Sequence, residues 1–229
     1  MTVPDGHPDI DVLWDFNDPA TCERRFADLR AEVLTQQARA AGLQRKFGEA
    51  DGLLDDAERL ATSVRTKTRL LLERGRVRNT SGHPEAAKPL FEQAADIADD
   101  EALCIDALHM LGIVDGPAWT ERALAMAEAS AEPKAQRWRA SLLNNLGWAK
   151  HDGGDYATAL TLFERALELR RSEGTPTQVN AARWSIGRCL RSLGRYDEAL
   201  AIQEDLARVV TDDTYVRDEL SELRKALAR

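Results

Sequence analysis

Apolar and small residues return at helical spacing along most of this chain, and glycine-rich breaks divide them into paired stretches. Leu143, Leu146 and Gly147 fall at i, i+3 and i+4, and Ala159, Phe163, Ala166 and Leu167 share one face of a second stretch. Gly153-Gly154 separates the two, as Gly82, Gly116-Pro117 and Gly194 separate other pairs. The pattern predicts helix, break, helix, repeated. Asp18-Pro19 reads as an N-cap followed by proline at the first helical position, opening a helix that runs into the first pair. Near the other end, Thr211-Asp212-Asp213 punctuates the chain. Val216, Leu220, Leu223 and Leu227 then form one apolar stripe on a charged helix.

The pairs repeat one another. A small residue recurs at Ala38, Gly75, Gly112, Gly147 and Gly187, at spacings of 37, 37, 35 and 40. An alanine follows each, at Ala50, Ala87, Ala123, Ala159 and Ala199, after 12, 12, 11, 12 and 12 residues. A small residue lets the first helix approach the second closely, and the alanine supplies the matching flat spot.

These residues resemble the tetratricopeptide repeat, a helix–turn–helix unit of about 34 residues. The fourth unit matches best, with Leu146-Gly147, Gly154, Tyr156, Ala159, Phe163 and Ala166. The fifth keeps Ile186-Gly187, Gly194, Tyr196 and Ala199 but has Gln203 where the aromatic belongs. The second keeps Gly75, Gly82, Ala87, Phe91 and Ala94, with Pro84 in place of an aromatic. The first has Ala38, Phe47, Ala50 and Ala57; the third has a turn one residue short and Ala127 in place of Phe. The resemblance implies an all-α solenoid of antiparallel helix pairs, a tetratricopeptide-like superhelix. Its expected parts are an N-terminal segment and leading helix (1–30), five repeats (31–210) and a C-terminal capping helix (211–229). Such a cap covers the last repeat, which has no neighbour. Trp14 and Phe16 are expected to cover the edge of the first repeat.

Composition narrows the function. The chain has 229 residues and a net charge of −8, which argues against a general nucleic-acid surface. It has no apolar run long enough for a membrane helix. Residues 1–19 hold acids and prolines rather than a basic and apolar leader, so a cytoplasmic location is expected. Cys22, Cys104 and Cys189 are too scattered for a metal knuckle or a disulfide framework. His151-Asp152 in HDGGD could open a metal-dependent phosphohydrolase site, but His7, His83 and His109 stand in a tail, a turn and a distant helix. The expectation is a non-enzyme with no cofactor and no metal.

In the family, the first helices of the pairs line a concave groove. Carried onto this sequence, that implies a peptide-binding groove of Arg39, Arg69, Arg76, Asn79, His109, Asn144, Asn145, Trp148, His151, Trp184, Arg188 and Arg191. Five arginines there face Glu32, Glu73, Asp106 and Asp152, so the groove carries less acid than the chain as a whole. Asn amides can bond a peptide backbone, arginines can fork a carboxylate, and Trp148 can cover an apolar side chain. The reading is a scaffold or adaptor that holds a peptide or helix segment of another protein, an acidic one by charge. A homodimer is compatible with it, and so is the chain's own segment 1–18 lying in the groove. The alternative is a regulatory solenoid gated by a small peptide or metabolite.

Overall fold

The computed structural model describes residues 10–228, and among these every regular element is helical. The chain packs as two compact units, which meet in sequence between Asp115 and Gly116. The first opens with a 3-10 turn, Ile10–Leu13. It continues through α1 (Pro19–Leu43), α2 (Phe47–Leu60), α3 (Val64–Thr80), α4 (Pro84–Ile97) and α5 (Glu101–Asp115). The second holds α6 (Pro117–Ala129), the short α7 (Pro133–Gln136), α8 (Arg139–Asp152), α9 (Tyr156–Glu173), α10 (Pro176–Ser192), α11 (Tyr196–Val209) and α12 (Thr214–Leu227). No described helix is long and apolar enough to cross a membrane.

Sequence neighbours pack as pairs: α1 on α2, α3 on α4, α8 on α9 and α10 on α11. The small residues explain how. A Cβ added at Gly75 would overlap the Phe91 ring, and one at Gly147 would fall 2.5 Å from Cε1 of Phe163. Both rings are buried, so each packs directly against the helix backbone that the glycine leaves bare. Ala50, Ala87, Ala123, Ala159 and Ala199 are all fully buried, as the repeat spacing predicts. The turns need left-handed backbone. Gly82, Gly154 and Gly194 supply it with φ of 94°, 82° and 74°, and Arg45 adopts φ 62° at the α1–α2 turn.

The leading helix and the first repeat helix are one uninterrupted α1. Asp18 caps it by accepting from the Thr21 backbone N–H at 3.0 Å, and Pro19 takes the first helical position. Trp14 packs edge-on against Phe26 of α1, centroids 5.3 Å apart. Phe16 only stacks on Trp14 and stays exposed, so one aromatic, not two, covers α1. The part of the acidic segment before Ile10, with His7, and Arg229 at the other end lie outside the described residues. At the C-terminus, Asp213 caps α12, and Val216, Leu220 and Leu223 are buried in its packing with α11. Leu227, counted in the same stripe from sequence, is exposed because the helix ends there.

Candidate functional site

The candidate groove residues fall on two faces, one in each unit, and the two faces differ in chemistry. In the first unit the face of α1, α3 and α5 is a ladder of ion pairs. Arg39 reaches Glu73 at 3.2 Å, and Arg76 binds both Glu73, at 2.6 Å, and Asp106. One turn away, Arg65 joins Glu32 at 3.2 Å and Asp100 at 2.8 Å, and Arg69 stands 3.5 Å from Glu32. The three candidate arginines here are therefore each engaged by a carboxylate of a neighbouring helix. Asn79 and His109 are half-buried beside them. Burial pushes the Glu73 carboxyl above its ordinary range, against the pull of Arg76 and Arg39. Burial also pulls His109 below its ordinary value, with Asp106 opposing and Arg76 assisting.

In the second unit the face of α8, α10 and α12 is aromatic. Trp148 is half-buried between Phe163, 5.0 Å away, and Trp184, 5.9 Å away. Trp184 meets Tyr215 edge-on at 5.9 Å, and the Tyr215 side is exposed to solvent. The row thus runs from a packed end at Trp148 to an open end at Tyr215. Asn144 accepts a 3.4 Å hydrogen bond from the Ser185 hydroxyl, with no partner for its amide N–H groups among the described residues, and Asn145 is half-buried beside it with a partner of its own.

Arg188 and Arg191 stand on the same face, and both bind Glu219 of α12. Arg191 makes a two-pronged pair, at 2.7 and 3.0 Å, and Arg188 Nε lies 3.1 Å from the same carboxylate. The Glu219 hydrogen bonds hold Arg191 above its ordinary pKa against burial. The sequence pattern does not point to Glu219 or Tyr215, because the apolar stripe of α12 reads only as a cap. Register is the signal that could have found them: Glu219 follows Trp184 by 35 residues, within the repeat spacing.

His151 is buried against Trp148 and Tyr156. Its Nε2 lies 2.9 Å from the Ser192 hydroxyl and its Nδ1 lies 3.4 Å from Asp152. The residue types are those of a nucleophilic triad, but the geometry is that of a packing bridge. Ser192 Oγ accepts from Arg188 at 3.0 Å and donates to the Arg188 carbonyl at 3.3 Å, so the hydroxyl is committed to its own helix. Asp152 is mostly exposed, so it cannot hold the imidazole orientation as a buried carboxylate does. The HDGGD stretch itself is the α8–α9 turn, with Asp155 capping α9 through Thr158. Among the described residues no cluster of His, Cys, Asp and Glu could hold a metal ion.

A family model described as tetratricopeptide repeat matches residues 139–173, the α8–α9 pair. No curated protein matches the chain in sequence. Among solved structures, BtubC (BKLC) from P. vanneervenii aligns with a TM-score of 0.65 and 18% identity, covering 85% of this chain and 83% of that one. The nearly identical TPR-like repeats of a Podosopora anserina protein, named after kinesin light chain, align with a TM-score of 0.60 and 17% identity. They cover 81% of this chain and 99% of that one. TTC0263, a thermophilic TPR protein from Thermus thermophilus, gives a TM-score of 0.54 and 19% identity over 85% of this chain and all of that one. At these identities the likeness speaks for the fold. Together with the matched pair, and with the glycine-to-ring contact repeated at Gly75 and Gly147, it shows a tetratricopeptide-like helical-repeat fold whose α8–α9 pair matches the tetratricopeptide-repeat model.

Proposed function

We propose that this chain is a non-enzymatic, cytoplasmic interaction scaffold that holds a peptide or helix segment of another protein on the α8–α10–α12 face. The observation that carries this reading is the Trp148–Trp184–Tyr215 row, which opens to solvent beside two arginines. Recognition here is by complementarity. The half-buried rings cover an apolar side chain, and the Asn144 amide donates to a peptide carbonyl. Arg188 and Arg191 favour an acidic segment, which must share them with Glu219. The first unit's face carries paired charges, so its arginines serve mainly to join α1, α3 and α5.

The test is a partner captured from native cells and measured against variants. Interface energy concentrates in a few Trp, Tyr and Arg residues, each worth about 2 kcal/mol or more. Tyr215→Ala and Arg188→Ala should each weaken binding about 30-fold with helix content unchanged. Trp148→Ala should also lower the melting temperature, because its ring packs on Phe163. Normal partner binding by both Tyr215→Ala and Arg188→Ala would overturn the reading.

A further inference from the structure

The outer side of α1 carries an apolar stripe of its own. Phe26, Leu29, Val33, Gln36, Ala40 and Leu43 follow one another at intervals of 3, 4, 3, 4 and 3 residues, the spacing of a seam between two helices. Ala31 and Ala38, on the opposite side of α1, are the residues it buries in its own unit. Trp14 leans on Phe26 at the start of the stripe, and Phe26 and Leu29 are half-buried. Beyond them the stripe is open. Gln36 and Ala40 are exposed, as are Val33, by 49%, and Leu43, by 74%. Apolar residues exposed singly mean little, but these continue one seam along a helix of 25 residues, about 37 Å long.

The stripe is complementary to itself when a second α1 runs the other way. Phe26, Val33 and Ala40 then stand opposite Leu43, Gln36 and Leu29 of the second copy, so the larger Leu29 meets the smaller Ala40. The charges at its ends fit the same direction. Glu23 lies at the start of α1 and Lys46 just past its end. Both are exposed, and neither forms an ion pair among the described residues. Antiparallel packing brings each Glu23 beside Lys46 of the other copy, twice by symmetry. Parallel packing would set like charges together at both ends. Gln36 is the one polar residue in the seam, and such a residue fixes register at a cost in affinity.

We propose that this chain forms a two-fold homodimer in which α1 packs antiparallel on α1 of a second copy. The contact is isologous, the same face on both subunits, so it closes at two and does not grow into a filament. It uses α1 of the first unit alone and does not depend on the α8–α10–α12 face being an interface.

The test is sedimentation of the full chain across about 1–200 µM, the range in which a modest interface is half-formed. The expected result is a reversible monomer–dimer equilibrium. Val33→Glu and Leu43→Glu, each exposed in the single chain, should leave helix content unchanged and weaken the dimer at least about tenfold, by placing a charge in the seam. Gln36→Leu should tighten it by about as much. Glu23→Lys and Lys46→Glu should each weaken it, and the two together should restore it, because the exchanged charges meet again across the two-fold axis. A chain that stays monomeric throughout, even as Gln36→Leu, would overturn the proposal. So would a dimer that neither Val33→Glu nor Leu43→Glu weakens. A double exchange weaker than either single one would overturn the antiparallel register. None of these variants touches Tyr215 or Arg188, so failure here is separate from failure of the interaction face.

Discussion

Arg191 of α10 and Glu219 of α12 form a two-pronged ion pair, Nε to Oε2 at 2.7 Å and Nη2 to Oε1 at 3.0 Å. Glu219 is nearly buried and also meets Arg188, so one carboxylate anchors two cations. Glu219→Gln keeps the shape but removes the countercharge. With the arginines partly exposed, the expected loss is about 1–3 kcal/mol, below the figure for a fully buried pair. The measurement is urea unfolding at low and high salt. The difference between wild type and variant should shrink in high salt. Identical midpoints at low salt would mean that apolar packing alone holds α12.

The repeat period, the helix pairs and the buried alanines were legible because close packing needs a small residue at a set place, and the chain repeats it. The charges were not. Arg39, Arg76 and Arg191 read as solvent-facing donors on their own helices. Their partners Glu73, Asp106 and Glu219 sit about one repeat further along the chain, on the next helix facing the same way. Periodicity places a residue on a face but does not say which charge stands opposite.

Gly147 and Gly187 occupy equivalent positions but face different neighbours. A methyl at Gly147 would meet the buried Phe163 ring at 2.5 Å, whereas at Gly187 it would meet Gln203 Nε2 at 2.6 Å, the free end of a flexible side chain. Overpacking against a fixed ring costs about 1–3 kcal/mol, partly offset by about 1 kcal/mol of helix propensity gained on replacing glycine. Gly147→Ala should lower the melting temperature, and Gly187→Ala should leave it close to wild type. Equal losses would show that Gln203 is held as firmly as the ring.

Gln203 is itself the next test. It is fully buried where the fourth unit has Phe163, and its Oε1 finds no hydrogen-bond partner, while its Nε2 makes only a long 3.4 Å contact to the Trp184 carbonyl. An unsatisfied buried amide costs about 1–3 kcal/mol. Gln203→Phe would place a ring against Gly187 as Phe163 lies against Gly147. The variant should therefore be more stable by about 1–2 kcal/mol in denaturant unfolding. A loss of stability would show that the fifth unit has closed around the smaller amide.

Arg45 holds φ 62° at a turn where Gly82, Gly154 and Gly194 hold the equivalent left-handed backbone. A side chain in that region costs about 1 kcal/mol, of which the stacking of Arg45 over Phe47 at 5.7 Å returns part. Arg45→Gly should raise stability by about 0.5 kcal/mol, and Gly194→Ala should lower it by about 1 kcal/mol. Opposite signs for the two variants in thermal unfolding are the expected result. A fall in both would place the Arg45 stacking above the backbone strain.

His109 and Glu73 give the first unit opposed responses to pH. Burial lowers the folded pKa of His109 below its ordinary value of 6.5, with Asp106 of its own helix opposing and Arg76 of α3 assisting. Between that folded value and 6.5 the unfolded chain binds more protons, so stability is present above 6.5 and is lost as pH falls through the window. Glu73, whose folded pKa is raised above 4.5 mainly by burial, acts the other way. Its folded form holds a proton longer, so stability is fullest below 4.5 and declines as pH rises through its folded value. Subtraction separates the two. The stability difference between wild type and His109→Gln, followed by denaturant unfolding from pH 7.5 to 5, should move in the variant's favour as pH falls. The difference between wild type and Glu73→Gln should move in the variant's favour as pH rises from 4.5. A His109→Gln difference that stays constant across pH 7.5 to 5 would mean that the imidazole is protonated in the folded state as readily as in the unfolded chain, and that its burial among Asp106 and Arg76 has no energetic consequence.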